Sequence, residues 1–123
     1  MKIRFQRGSV RFRLRQGDLR TLVSAGRTEE TVSLGGRDLV HALELHDGPA
    51  AVTLDGARFV ARLPATDAHA WAESDAVGLD YALAGGTRLL VEKDWACLEP
   101  APGETNDGTF ARPEPIPANC RTP

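Results

Sequence analysis

Apolar and polar residues change places at every second position along several short stretches of this chain, and glycines separate the stretches. Side chains on an extended strand point to opposite faces in turn, so the pattern commits the chain to half-buried β-strands. Ile3 and Phe5 share one face of the opening segment, with Lys2, Arg4 and Gln6 on the other. After Arg7-Gly8 the alternation resumes, with Val10, Phe12 and Leu14 inward and Arg11, Arg13 and Arg15 outward. Two such runs across a glycine turn predict a β-hairpin. Three arginines on one strand face repel one another, so they require acidic cross-strand neighbours or open solvent.

The period then changes. Leu19, Leu22 and Val23 fall at helical spacing, and Gly26 suits the left-handed position that ends a helix, which predicts a short helix over 16–25. A strand over 27–34 turns at Gly35-Gly36 into one over 38–46, with Leu39, His41, Leu43 and Leu45 on a common face. Segments 51–55 and 57–63 flank Asp55-Gly56, a tight-hairpin signal. Pro64 fits the first position of a second helix reaching about Ser74, with Ala68, Trp71 and Ala72 as its apolar stripe. Val77, Leu79, Tyr81 and Leu83 alternate, and Gly85-Gly86 turns the chain into Thr87–Leu98. There Leu89-Leu90-Val91 is apolar on both faces, which suits an interior strand. No internal repeat is visible. The expected fold is α+β: a mostly antiparallel sheet of about 7–8 strands, able to curl into a partial barrel, with two short helices.

A chain of 123 residues, 41% hydrophobic and 26% charged, is expected to fold as one domain rather than remain disordered. Six of its eight prolines lie beyond residue 98, where neither a regular helix nor a central strand can form. The expected division is a domain over 1–98 and a tail over 99–123 that is extended or partly disordered. An ordered tail would be a strap pinned by Phe110 and Cys120. No run of residues is long and apolar enough to span a bilayer, and the arginine-rich start lacks the apolar core of a signal peptide, so the expected compartment is the cytoplasm.

The net charge of −2 conceals an asymmetry. Residues 1–27 hold eight basic groups against Asp18 alone, a balance of +7; the remainder holds seven basic and sixteen acidic groups, a balance of −9. Either a basic hairpin packs beside acidic strands and the field cancels internally, or an arginine face meets an anionic partner. The near-neutral total favours internal cancellation.

The motifs Met1–Arg4, Ser9–Arg15, Trp71–Asp75 and Val-Glu-Lys-Asp-Trp-Ala-Cys-Leu at 91–98 resemble a family of small uncharacterised bacterial proteins. Those proteins carry a Val-Glu-Lys-Asp-aromatic-x-Cys-Leu segment and an acidic, proline-containing tail. The resemblance implies a single domain and no known activity.

Two kinds of site remain. Arg4, Arg11, Arg13, Arg15, Arg58 and Arg62 would line one anion-binding surface if the first hairpin and the 57–63 strand are neighbours. The outward positions hold almost no aromatic rings for base stacking, which argues against nucleic acid. Cys97 and Cys120, with His41, form a weak metal set, because close ligand pairs are missing. The cysteines read first as free thiols; a bridge between them would be worth roughly 3 kcal/mol. His41, among leucines, reads first as a hydrogen-bonded core residue rather than a ligand or base. No nucleophile–base spacing, phosphate loop or cofactor motif stands out, so no catalytic residue is assigned and whether the chain is an enzyme stays open. The expected function is a non-enzymatic binding module that meets a protein partner, or itself, through a sheet edge or the tail. The alternative is an arginine face that is an anion- or phosphate-binding, or a hydrolytic, site. No cofactor and no membrane are expected.

Overall fold

Four antiparallel hairpins carry the eight strands seen among the described residues, which in this computed structural model are 1–95 and 105–111. They are β1 (Lys2–Gln6) with β2 (Ser9–Leu14), β3 (Arg27–Leu34) with β4 (Arg37–His46), β5 (Ala51–Asp55) with β6 (Arg58–Pro64), and β7 (Gly78–Ala82) with β8 (Arg88–Lys93). Helix α1 (Gln16–Ala25) joins the first two hairpins and α2 (Ala65–Ala72) the last two. Gly56 turns the third hairpin at φ 59°, a left-handed conformation that side-chain-bearing residues rarely adopt.

The hairpins assemble in pairs. Parallel β2–β8 joins the first hairpin to the last, in the order β1-β2-β8-β7; parallel β4–β6 joins the middle two, in the order β3-β4-β6-β5. The α+β class, the strand number and the two short helices stand, and four of the six pairings are antiparallel. The strands divide between two mixed sheets, however, and among the described residues no sheet closes into a barrel. β8 is interior, as its two apolar faces demand.

The topology is duplicated although the sequence shows no repeat. The chain runs ββαββ twice, and exchanging the halves converts the order β1-β2-β8-β7 into β5-β6-β4-β3, the second sheet. Register fixes equivalent positions. Val10, Phe12 and Leu14 face Leu89, Val91 and Lys93 across one parallel pair; Phe59, Ala61 and Leu63 face His41, Leu43 and Leu45 across the other. Each sheet's centre therefore takes one strand from each half, and neither half completes a sheet alone.

The inward positions form one apolar cluster. Val10, Phe12, Leu14, Leu89 and Val91 from one sheet meet Leu43, Ala61 and Leu63 from the other, with Leu19 and Leu22 of α1 and Trp71 of α2. The Phe12 and Phe59 rings stack at 6.0 Å across the two sheets. The helices touch each other, with α1 against β2, β3 and β4 and α2 against β4, β6 and β7. Gly26 ends α1 as its position predicted, at φ 76° with its N–H donated to Leu22 O. Pro64 caps α2 rather than occupying its first turn.

Candidate functional site

The outward side chains of the first sheet alternate with its buried ones. Lys2, Arg4, Arg11, Arg13, Glu92, Asp80 and Arg88 share that face, five basic groups against two acidic. Arg11 Nε lies 3.2 Å from Glu92 Oε1, and Arg88 pairs with Asp80. Arg4 is exposed and forms no ion pair among the described residues. Arg58 and Arg62 belong to the other sheet, because β2 neighbours β1 and β8 rather than β6. The six arginines do not make one surface. On the second sheet Glu44 takes Arg62 (3.3 Å) and Arg27, while Glu29 takes Arg27 (2.5 Å) and reaches Arg58 at 4.0 Å. Five charges thus interlock across β3, β4 and β6, covering buried Ala42 and Val60 beneath them.

Arg15 is no outward strand residue. β2 stops at Leu14, and Arg15 becomes the N-cap of α1, its backbone N–H donated to Asp18 Oδ2 at 2.9 Å. Its side chain turns to the strand end. Nε lies 3.6 Å from buried Asp94, which also meets Lys2 at 3.4 Å, while its other nitrogens donate to the carbonyl oxygens of Thr105 (2.8 Å) and Asp107.

Lys93 is the charged group that alternation did not reveal. It is only 4% exposed, on the inward face beside Leu14, and donates to Ser74 O at 2.5 Å. Its ammonium stands 5.9 Å from the Trp71 ring and 5.5 Å from Phe110. Burial pulls its pKa below the ordinary lysine value, and Asp75 partly offsets the effect. In sequence, Glu92-Lys93-Asp94 looks like a solvated charge run; only the strand's continuation through Lys93 turns it inward.

His41 is 2% exposed, with Phe12 at 6.5 Å, and neither ring nitrogen has a hydrogen-bond partner among the described residues. It is a core residue, but not the hydrogen-bonded one expected. Burial lowers its pKa; Glu30, its cross-strand neighbour, opposes the shift and the N-terminal amine adds to it. That amine lies 3.0 Å from Asp18 and 2.5 Å from Glu30. In the other half Asp67 accepts the Tyr81 hydroxyl at 2.8 Å. Cys97 and Cys120 lie outside the described residues, and among those described no three His, Cys, Asp or Glu gather as metal ligands.

These features define an α+β protein of two interleaved ββαββ halves, with a buried lysine and a buried histidine at non-equivalent places. It belongs to a family of unknown function (DUF7009), whose model matches residues 1–114. No curated protein and no solved structure matches it. Among the described residues no helix is long and apolar enough to cross a membrane.

Proposed function

We propose that this chain is a non-enzymatic interaction module that pairs with a second copy of itself along the free edge of β3. The observation that carries this reading is the outer half of β3. Thr31–Leu34 is an exposed edge segment with no charge and no proline, the devices that ordinarily keep strand edges apart. Val32 is 39% and Leu34 57% exposed on the inward-facing side of the sheet. Of the other edges, β1 and β7 carry a charge within the strand and β5 ends on Asp55 with Pro49 just before it, whereas the charges of β3, Arg27, Glu29 and Glu30, stay in its inner half. A two-fold antiparallel pairing centred on Ser33 sets Val32 opposite Leu34 on one face, places no like charges together and extends the sheet by main-chain hydrogen bonds.

Sedimentation of the whole protein tests this reading. Wild type is expected to dimerise at concentrations of about 100 µM or below, and Val32→Lys/Leu34→Lys to remain monomeric. A wild-type monomer throughout that range removes the proposal.

A second reading rests on the net +3 of the first sheet's outward face and on exposed, unpaired Arg4. It is an anion-binding surface of Arg4, Arg11 and Arg13 without Arg58 and Arg62. Polyphosphate should then raise the melting temperature at low salt, less so at high salt, and not in Arg4→Gln/Arg13→Gln. An unchanged melting temperature in wild type ends it.

A further inference from the structure

Residues 105–111 belong to none of the eight strands, yet they lie docked on the first sheet's end. At least five hydrogen bonds hold this strap to the sheet end through the strap's main chain. The Arg15 guanidinium donates to Thr105 O and Asp107 O, and the Gln16 amide N–H donates to Gly108 O at 2.8 Å. Gln16 Nε2 donates to Thr109 O at 2.9 Å, and Phe110 N–H to Asp94 O at 3.0 Å. Trp95 and Phe110 form a parallel β-bridge. One strap side chain goes in: Phe110 meets the Trp95 ring edge-on at 5.8 Å, with the Lys93 ammonium over it, and packs on the apolar core. Thr105, Asn106, Asp107 and Gly108 stay exposed.

Main-chain recognition plus one pocketed aromatic side chain is how a protein holds a peptide segment, here one that turns at Asp107-Gly108. We infer that the site made by Arg15, Gln16, Lys93, Asp94 and Trp95 is a peptide-docking groove, and that residues 105–111 fill it as a built-in competitor. Its external ligand is a peptide that turns at Asp-Gly and carries a phenylalanine two residues further on, as in Thr-Asn-Asp-Gly-Thr-Phe. Phe110 sets the specificity, and Gly108, at φ 73°, favours a glycine in the turn before it. A tethered strap competes at an effective concentration in the millimolar range, so an outside peptide enters only when the strap is weakened or outnumbered.

The test uses the whole protein carrying Phe110→Ala and a fluorescent peptide of residues 105–111, read by polarisation. Saturable binding is expected, at least about tenfold weaker when the peptide's phenylalanine is alanine and at least about tenfold weaker to wild type. A folded variant that binds the peptide no better than a scrambled one overturns the proposal. So does a wild-type dimer that Phe110→Ala abolishes, since the groove would then exchange straps between copies. Should the variant not fold, hydrogen exchange on wild type decides. The Gln16 and Phe110 amides should exchange through an opening that leaves β8 protected, and exchange only by global unfolding overturns the proposal.

Discussion

Lys93 on β8 and Leu45 on β4 hold equivalent places in the two halves, one facing Leu14 and the other Leu63 across their parallel pairs. The stem of Lys93 packs inward beside Leu14 and Trp71, so an unbranched apolar side chain of similar length can take its place. Lys93→Met should leave stability within about 1 kcal/mol, whereas Lys93→Ala should cost about 2–4 kcal/mol through the cavity it opens. Burial lowers the folded pKa of Lys93. The unfolded chain then binds more protons between that value and about 10.4, and stability should rise with pH through this window. Lys93→Met should abolish the rise in denaturant titrations; a rise that persists assigns it elsewhere.

His41 gives the corresponding effect in acid. It faces Phe12 of β2 and Phe59 of β6, with Glu30 of β3 and the Met1 amine as its charged neighbours. Its folded pKa lies below its unfolded value of about 6.5, so stability is complete above that value and falls as the pH drops towards the folded one. Leu89 occupies the equivalent place in the other half. His41→Leu should raise the melting temperature more at about pH 5 than at about pH 8, because it removes the group that must charge. Equal gains at both would show that the imidazole does not titrate.

Two glycines should respond to alanine with opposite signs. A Cβ on Gly78 would stand 2.3 Å from Val91 O and 2.9 Å from Glu92 Cα, in the β7–β8 pairing, where backbone must move to admit it. Gly78→Ala should cost more than about 2 kcal/mol. Gly17 lies in the first turn of α1 with open space around it, and Gly17→Ala should stabilise by roughly 0.4–1 kcal/mol. Thermal melts of the two variants read both signs.

Alternation placed the hairpins and the inward residues because it reports which way a side chain points. It carries nothing about which strand lies alongside. Ser9–Leu14 and Arg88–Lys93 pair in parallel across most of the chain, and no local pattern announces that contact. The duplication is hidden for a related reason. Phe12 and Ala61, or Leu89 and His41, fill equivalent positions with different volumes and chemistry, since each core need only fill its own space. Arg15 was misplaced because alternation continues one residue past the strand, while Asp18 draws that backbone into a helix cap. Phe110 was legible as a tail anchor, but its seat depends on Asp94 meeting Arg15 and on Trp95 lying beside Phe110 at the strand end, which only the fold brings about.

The interleaving of the halves makes its own prediction. A fragment of residues 1–48 holds β1–β4, yet β2 and β4 both lose their parallel partners, β8 and β6. As a monomer it would expose two apolar sheet faces and two open edges, and it should not fold. Two copies, however, can rebuild the arrangement by setting β2 of one against β4 of the other. Val10, Phe12 and Leu14 would then face His41, Leu43 and Leu45, and Arg13 would face Glu44, as Arg13 faces Glu92 in the intact chain. Any cooperative structure in this fragment should therefore depend on concentration, and adding residues 49–123 should restore the native circular dichroism spectrum. A concentration-independent melt from a monomeric fragment would mean that one half is a folding unit by itself, and the shared sheets would then not be what holds the protein together.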